Sequence, residues 1–308
     1  MILTITMNPS IDISYQAAEF HLNTVNRVSS VRKTAGGKGL NVTRVLKQLG
    51  VEAIASGITG GVLGTEIKNI LEQNGIIHDF LSIKGETRNC IAILHDGQQT
   101  EILESGPVIS EKEAADFKKH LEKLVPKEDM IIFSGSLPEG LPIDFYSQML
   151  QICQKKPVVL DCSGEALVEV LKGETKPFLI KPNMEEFAEL SEQPVTMDVK
   201  KLKAALSDQL FAGIDWIVVS MGSEGAFAKH LDRFYHVTIP EITIANPVGS
   251  GDAMLAGLVA AIEKQIPDDE VLEQGSTLGM LNAKEETTGY VDLADYHTLA
   301  EQIQIEEV

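Results

Sequence analysis

Three features of this chain predict an α/β fold with a mostly parallel central sheet: short continuous apolar runs, periodic stretches of helical length between them, and two glycine clusters that each lead into a helix. The short apolar runs at Ile2–Thr6 and at 130–133, 158–160, 178–180 and 216–219 are continuous enough to be strands covered on both faces. Periodic stretches near 37–49, 64–74, 110–124, 142–153 and 198–212 lie between them. That succession places helices on both sides of the sheet. Substrates of such sheets bind beyond the carboxyl ends of the strands, where Asp12, residues 134–138 and Asn183 are expected.

Two segments break the alternation. Residues 13–34 mix aromatic, β-branched and polar types without a helical period, and residues 87–103 read as a hairpin with Asp96-Gly97 at its turn. Both are expected to leave the main sheet and form a small β-sheet lid over the cleft. A two-stranded piece is marginal by itself, so its apolar face needs cover from the other segment or from a partner subunit.

With 308 residues and 44% hydrophobic composition, the chain can bury one large core. A formal charge of -19 argues against nucleic-acid or anionic-membrane partners, yet leaves room for a small anionic substrate held by two or three local cations. Cys90, Cys153 and Cys162 have no paired spacing, so neither a disulfide scaffold nor a zinc or redox pair is expected. No apolar run of membrane-spanning length and no basic leader is present, which gives a soluble cytoplasmic protein as the expectation. The seven histidines show no metal-ligand spacing.

The chemistry lies in Asn246-Pro247-Val248-Gly249-Ser250-Gly251-Asp252, which runs directly into an apolar helix. Successive backbone amides at a helix start attract an anion, and an adjacent carboxylate can take a proton from whatever attacks that anion. This is an arrangement for phosphoryl transfer. Gly36-Gly37-Lys38-Gly39-Leu40-Asn41 is expected to form the opposite wall of one cleft. No Gly-x-x-x-x-Gly-Lys-Ser/Thr loop occurs, and the first strand lacks a Gly-x-Gly-x-x-Gly exit, so neither common nucleotide-binding loop is present.

Taken from the residues alone, each candidate has a plainer reading. Gly249 to Asp252 also suit a loop and helix cap, Asp12 a turn, and Asn183 with Glu186 a helix start. Lys38, Arg27 and Arg88 are candidate cations for a substrate phosphate or solvated surface charges, and Ser136 is a hydroxyl donor or a loop serine. Ser220 to Gly225 form either a nucleotide-approaching loop or a strand exit. Asn282 lines a base pocket or is an exposed polar position.

The two glycine clusters, in this order, resemble the signatures of the ribokinase-like carbohydrate kinases, the family named for the minor phosphofructokinase; many members have Asp-Thr where this chain has Asn246-Pro247. The resemblance spans roughly the whole chain. It implies a single ribokinase-like kinase domain over residues 1–308, with discontinuous lid segments near 13–34 and 87–103, using ATP and magnesium and dimerising lid against lid. By residue, it implies Asp252 as general base, with Gly249, Ser250 and Gly251 as the anion hole. Asp12, Gly37 and Asn41 would hold sugar hydroxyls, with Gly36 in the same substrate-binding loop, while Lys38, Arg27 and Arg88 stay the candidate cations for the sugar's phosphate and Ser136 a candidate donor beside them. Lys181, Asn183, Ser220, Gly222, Gly225 and Asn282 would serve the nucleotide, and Asn183 and Glu186 the magnesium ion through water.

The reaction so implied is transfer of the ATP γ-phosphoryl group to the free primary hydroxyl of a ketohexose monophosphate. D-tagatose 6-phosphate is the expected acceptor. Fructose 1-phosphate is the alternative, and a non-catalytic sugar-phosphate-binding protein is a more distant one.

Overall fold

The computed structural model describes residues 1–308 apart from Gly97, Gln193 and Val195. Its first half comprises β1 (Ile2–Thr6), β2 (Ser10–Gln16), β3 (Ser30–Gly36), α1 (Lys38–Gln48), β4 (Ala53–Gly60), α2 (Gly61–Gln73), β5 (Ile77–Ile83), β6 (Arg88–His95), β7 (Gln98–Leu103), α3 (Glu111–Leu124) and β8 (Met130–Ser134). Next come α4 (Phe145–Cys153), β9 (Val158–Asp161), α5 (Gly164–Lys172), β10 (Leu179–Ile180), α6 (Met184–Ser191) and α7 (Val199–Leu206). The chain closes with β11 (Trp216–Ser220), β12 (Ala226–His230), β13 (Arg233–Thr238), α8 (Ser250–Glu263), α9 (Asp268–Ala283), α10 (Tyr296–Ala300) and β14 (Gln304–Glu307).

The main sheet has ten strands in the order β14-β13-β12-β11-β10-β9-β8-β1-β4-β5. From β11 to β5 every pairing is parallel, and β12, β13 and β14 add an antiparallel edge. Apolar runs without alternation give two buried faces, because successive side chains of a strand point to opposite sides. Ile131 and Phe133 of β8 pack with α3 and α4 through Phe117, Phe145 and Tyr146. Met130 and Ile132 of the same strand pack on the other side with Val42 of α1 and Leu255 and Val259 of α8.

All five expected strands and five expected helices are present, with ends shifted by a few residues. The exception is the helix expected to reach 212, which stops at Leu206. There the Asp208 side chain accepts from the Leu210 N–H and starts a separate 3₁₀ turn, as a short acidic side chain competing for backbone donors does. The strands β4 and β5 carry no continuous apolar run: β4 holds glycines and hydroxyl residues, and polar residues interrupt β5 at His78, Asp79 and Ser82. No helix is long and apolar enough to cross a membrane, among the described residues.

A second sheet has the order β3-β2-β6-β7 and forms the lid. It begins at Ser10, three residues before the segment expected to supply it, so Asp12 lies inside a lid strand and not in a turn after β1. The β6–β7 hairpin is present, and the turn residue Gly97 falls outside the described residues. Register places Asp12 beside Thr34 and Cys90, and Cys90 beside Leu103, on one face. The neighbouring row, Ile13, Ile91 and Ile102, points to the other. A third apolar cluster, including Ile11, Ala35, Leu40, Ile67 and Leu71, joins the lid to α1 and α2.

Candidate active site

Two cavities adjoin at the carboxyl ends of the parallel strands. The first, about 550 Å³, lies between the lid and the main sheet, with Asp12, Gly37, Lys38, Asn41, Arg88 and Asp252 among its walls. The second, about 500 Å³, is lined largely by apolar groups of 239–244, α8 and α9, together with Gly225, Ser250 and Ser276. Ser220, Gly222 and Gly251 line both.

Asp252 lies in the first turn of α8, near the meeting point. The cap of that helix is Gly249, with φ +83°, a left-handed conformation that few other residues adopt without strain. A Cβ there would also sit 2.5 Å from Thr288 Cγ2. The Ser250 N–H turns back to Pro247 O at 3.2 Å, and the Ala253 N–H bonds Gly249 O. Ser250 therefore does not offer the free amide expected of it; the bond that closes the turn consumes it. The amides of Gly249, Gly251 and Asp252 have no such partner among the described residues.

The Asp252 carboxylate is 6% exposed and accepts from Asn41 Nδ2 at 2.8 Å. Burial first, and then the nearby Asp161 carboxylate, push its pKa up to about 7; the Asn41 bond and the charges of Lys38 and Lys181 work against that rise. Asp161, at the end of β9, is a member of the site that the sequence did not single out. It sits between Lys38 Nζ at 3.9 Å and Lys181 Nζ at 3.8 Å, and Ser134 Oγ donates to it. The only sequence signal for it was its position at a strand's carboxyl end. The Lys181 ammonium is buried and lies 3.1 Å from the point a Cβ on Gly251 would occupy, which sets a positive charge against the N-terminal turn of α8.

On the lid side, Ser10 Oγ donates to Asp12 Oδ1 at 2.6 Å, and burial raises the Asp12 pKa against that bond. Gly36 lacks a side chain for a direct reason: its Cβ would lie 2.0 Å from the Asp12 carboxylate. Lys38 is half exposed, and Asp161 raises its pKa. Arg88 lines the cavity, but Nε, Nη1 and Nη2 already donate to the carbonyls of Asn8 and Glu104, which leaves two of its N–H groups uncommitted.

Several expected positions lie elsewhere. Arg27 is exposed in the β2–β3 connection, Ser136 is exposed after β8, and neither is among the residues lining the cavity. Asn282 is fully buried and not on the base-pocket wall: its Nδ2 donates to Val248 O at 3.0 Å and its Oδ1 accepts from Gly289 N at 2.8 Å. It holds the anion loop from behind. Asn183 and Glu186 line the cavity while also forming a reciprocal capping box at the start of α6, which occupies Asn183 Oδ1 and Glu186 Oε2.

Accepting a proton and neutralising anionic charge at one point are the two demands of phosphoryl transfer to a hydroxyl, and this cleft brings groups for both together, which is the chemistry of a kinase. The sequence bears this out: the model of the pfkB family carbohydrate kinases matches residues 5–294, and the chain belongs to that family. It is similar to a provisionally assigned phosphofructokinase from Staphylococcus aureus, at 30% identity and a TM-score of 0.86, covering 100% of this chain and 99% of that one. Phosphofructokinase-2 from Escherichia coli shares the fold at 24% identity, with a TM-score of 0.89 over 97% of this chain and 98% of that one. So does a provisionally assigned 1-phosphofructokinase from Thermotoga maritima, at 23% identity, with a TM-score of 0.88 over 100% and 99% of the two chains.

Proposed function

We propose that the protein transfers the γ-phosphoryl group of ATP to the free primary hydroxyl of a ketohexose monophosphate. The observation that carries this reading is the buried Asp252 carboxylate beside the free amides of Gly249 and Gly251 and the ammonium of Lys181, across the cavity from Asp12. Asp252 takes the hydroxyl proton as that oxygen forms its bond to the γ-phosphorus and the bond to the β-phosphate oxygen breaks, releasing ADP. The two glycine amides and Lys181 face the charge carried by the migrating group. Asp12, Gly37 and Asn41 hold sugar hydroxyls, with Gly36 making room for the Asp12 carboxylate, while Lys38 and the uncommitted N–H groups of Arg88 meet the sugar's phosphate. The apolar second cavity takes the nucleoside, with Ser220, Gly222 and Gly225 along its entry. Lid closure keeps water from the γ-phosphoryl group.

Magnesium fits this site as an ion carried on the nucleotide's phosphates. No group of three His, Cys, Asp or Glu side chains converges to cage one among the described residues. Glu186 keeps Oε1 free of the capping box and can hold a magnesium-bound water. A magnesium ion so held would neutralise negative charge on the nucleotide's phosphates.

For the acceptor, the phosphofructokinases among the similar structures support a fructose phosphate over the D-tagatose 6-phosphate expected from the sequence, and the provisionally assigned 1-phosphofructokinase supports fructose 1-phosphate. A kcat/KM at least about tenfold higher for fructose 1-phosphate, measured at saturating ATP beside tagatose 6-phosphate and fructose 6-phosphate, is the expected result, since the two 6-phosphates carry their phosphate at the other end of the sugar and present a different set of hydroxyls to the same polar groups, leaving some of them unpaired. The reverse order restores tagatose 6-phosphate. Tight binding of either sugar without turnover leaves only a binding protein.

The same reading includes a homodimer through the lids. On the face opposite Asp12, Val31 and Ile102 are 48% and 53% exposed, and Leu22 and Val25 of the β2–β3 connection are exposed too. Sedimentation across micromolar concentrations is expected to show a dimer, and a monomer throughout rejects the interface.

A further inference from the structure

Helix α1 carries a polar stripe, buried at Asn41 and half-buried at Arg44 and Gln48, that the roles above leave unexplained. Asn41, Arg44 and Gln48 are spaced i, i+3 and i+7, which places them on one face of the helix. Arg44 sits at the centre, and burial lowers its pKa from the usual guanidinium value. Its guanidinium donates to Asn41 Oδ1 at 3.1 Å, to Thr288 O at 2.8 Å and to Ala35 O. Gln48 extends the same clamp, donating to Gly289 O at 3.0 Å and accepting from the Val291 N–H at 3.0 Å.

The three acceptors of Arg44 belong to three parts of the cleft. Ala35 precedes the Gly36-Gly37 turn at the end of β3, where the lid joins α1. Thr288 packs against Gly249, the cap of the helix that bears Asp252. Asn41 donates directly to Asp252.

We infer that Arg44 is a positioning residue for the phosphoryl-transfer carboxylate, acting through Asn41, an inference that rests on Asp252 being the base. A guanidinium can only donate, so it takes the carbonyl end of the Asn41 amide. The NH₂ end is thereby fixed toward Asp252 Oδ2. Without the guanidinium the amide is free to turn over, and its oxygen then faces the carboxylate lone pairs, a repulsive contact in place of a hydrogen bond. The fork also ties the lid hinge to the anion loop, so the sugar-binding glycines and the base keep one register. Besides Asn41, the charged groups around Asp252 are Asp161, Lys38, Lys181 and Arg44 itself.

The test pairs Arg44→Met with Asn41→Ala and the double variant, reading kcat, KM for ATP, and the Asp252 carboxyl pKa by carbon-13 NMR. Arg44→Met is expected to lower kcat by about 10–10²-fold with KM for ATP within about threefold, and to raise the Asp252 pKa, because an oriented donor to the charged form is lost. In the Asn41→Ala background the same change is expected to do much less, since the amide it orients is gone. Equal losses in both backgrounds, or an Asp252 pKa unchanged by Arg44→Met, overturn the inference.

Gln48→Leu separates orientation from packing: it loosens the same 287–291 segment without touching Asn41 and is expected to leave the Asp252 pKa where it is. A pKa that moves as far in Gln48→Leu as in Arg44→Met points to loosening alone and overturns the inference. Should Arg44→Met not fold, Arg44→Lys replaces it, because an ammonium keeps the charge but cannot reach Asn41 and both carbonyls together. Parental kcat and Asp252 pKa in that variant also overturn the inference. Failure of the base assignment looks different: Asp252→Asn then turns over normally, while the pKa still responds to Arg44→Met.

Discussion

Asp252→Asn is expected to lower kcat by about 10²–10⁴, with ATP and sugar phosphate still binding within about tenfold of the parent. The amide keeps the size of the side chain and an oxygen to accept from Asn41 Nδ2, so the 2.8 Å contact between α1 and α8 survives. What it cannot do is accept the hydroxyl proton. Folding stability is expected to move the other way. A carboxyl whose folded pKa lies above its unfolded value is most favourable to the fold at low pH, and its contribution declines as pH rises from about 4 toward the folded pKa. Removing the charge removes that decline, so the variant's melting temperature at pH 8 should equal or exceed the parent's.

The parent's kcat/KM should also lose its base on acidification at a higher pH than an exposed aspartate would. Phosphates titrate with a pKa of about 6 in the same range, so NMR of the Asp252 carboxyl carbon is the cleaner reading. Turnover of Asp252→Asn within threefold of the parent removes it from the catalytic role.

The body of the fold was legible because its strands are buried on both faces, and two-sided burial leaves continuous apolar runs such as Met130 to Phe133. The lid was legible only as an interruption: β2 alternates Asp12 and Ser14 with Ile11 and Ile13, since one face meets the cleft and the other an apolar layer. Nothing local in Pro-Ser-Ile-Asp distinguishes that strand from a turn.

The site followed the same division. Residues on the glycine loops were visible because glycine and lysine in those spacings carry a backbone and charge meaning of their own. Asp161, Arg44 and the true place of Asn282 were not, because their function lies in partners far along the chain. Arg44 reaches Thr288, and Asn282 reaches back to Val248. Arg88 was legible only in part: it lines the cavity as a phosphate cation would, but three of its donors are spent on carbonyls that hold the start of β6, and that structural share of its work had no sequence signal.

Charge placement inside the cleft gives the second large effect. The chain as a whole carries -19, yet Asp252 and Asp161 are buried together, and Lys38 and Lys181 are the two cations that reach Asp161, with Arg44 acting on Asp252 from the other side. Lys38 is half exposed and therefore partly screened, so Lys181 is the cation whose field reaches the N-terminal turn of α8 with least attenuation. Lys181→Met keeps the length and most of the volume of the stem and removes the ammonium.

The expected result is a fall in kcat of about 10²–10³, the range found when one fixed donor is taken from a site where charge develops, together with a raised KM for ATP and a sugar KM within about threefold. Folding should weaken as well, because breaking one arm of a buried ion cluster leaves Asp161 with a single, half-exposed partner. The loss should stay below the roughly 3–5 kcal/mol of a fully orphaned buried charge, since Lys38 remains. An Asp161→Asn exchange in the Lys181→Met background distinguishes the two effects. It removes the orphaned carboxylate and is expected to restore the melting temperature without restoring kcat. Recovery of both would mean that Lys181 serves only to hold Asp161, and a parental kcat in the single variant would take its ammonium away from the γ-phosphoryl group altogether.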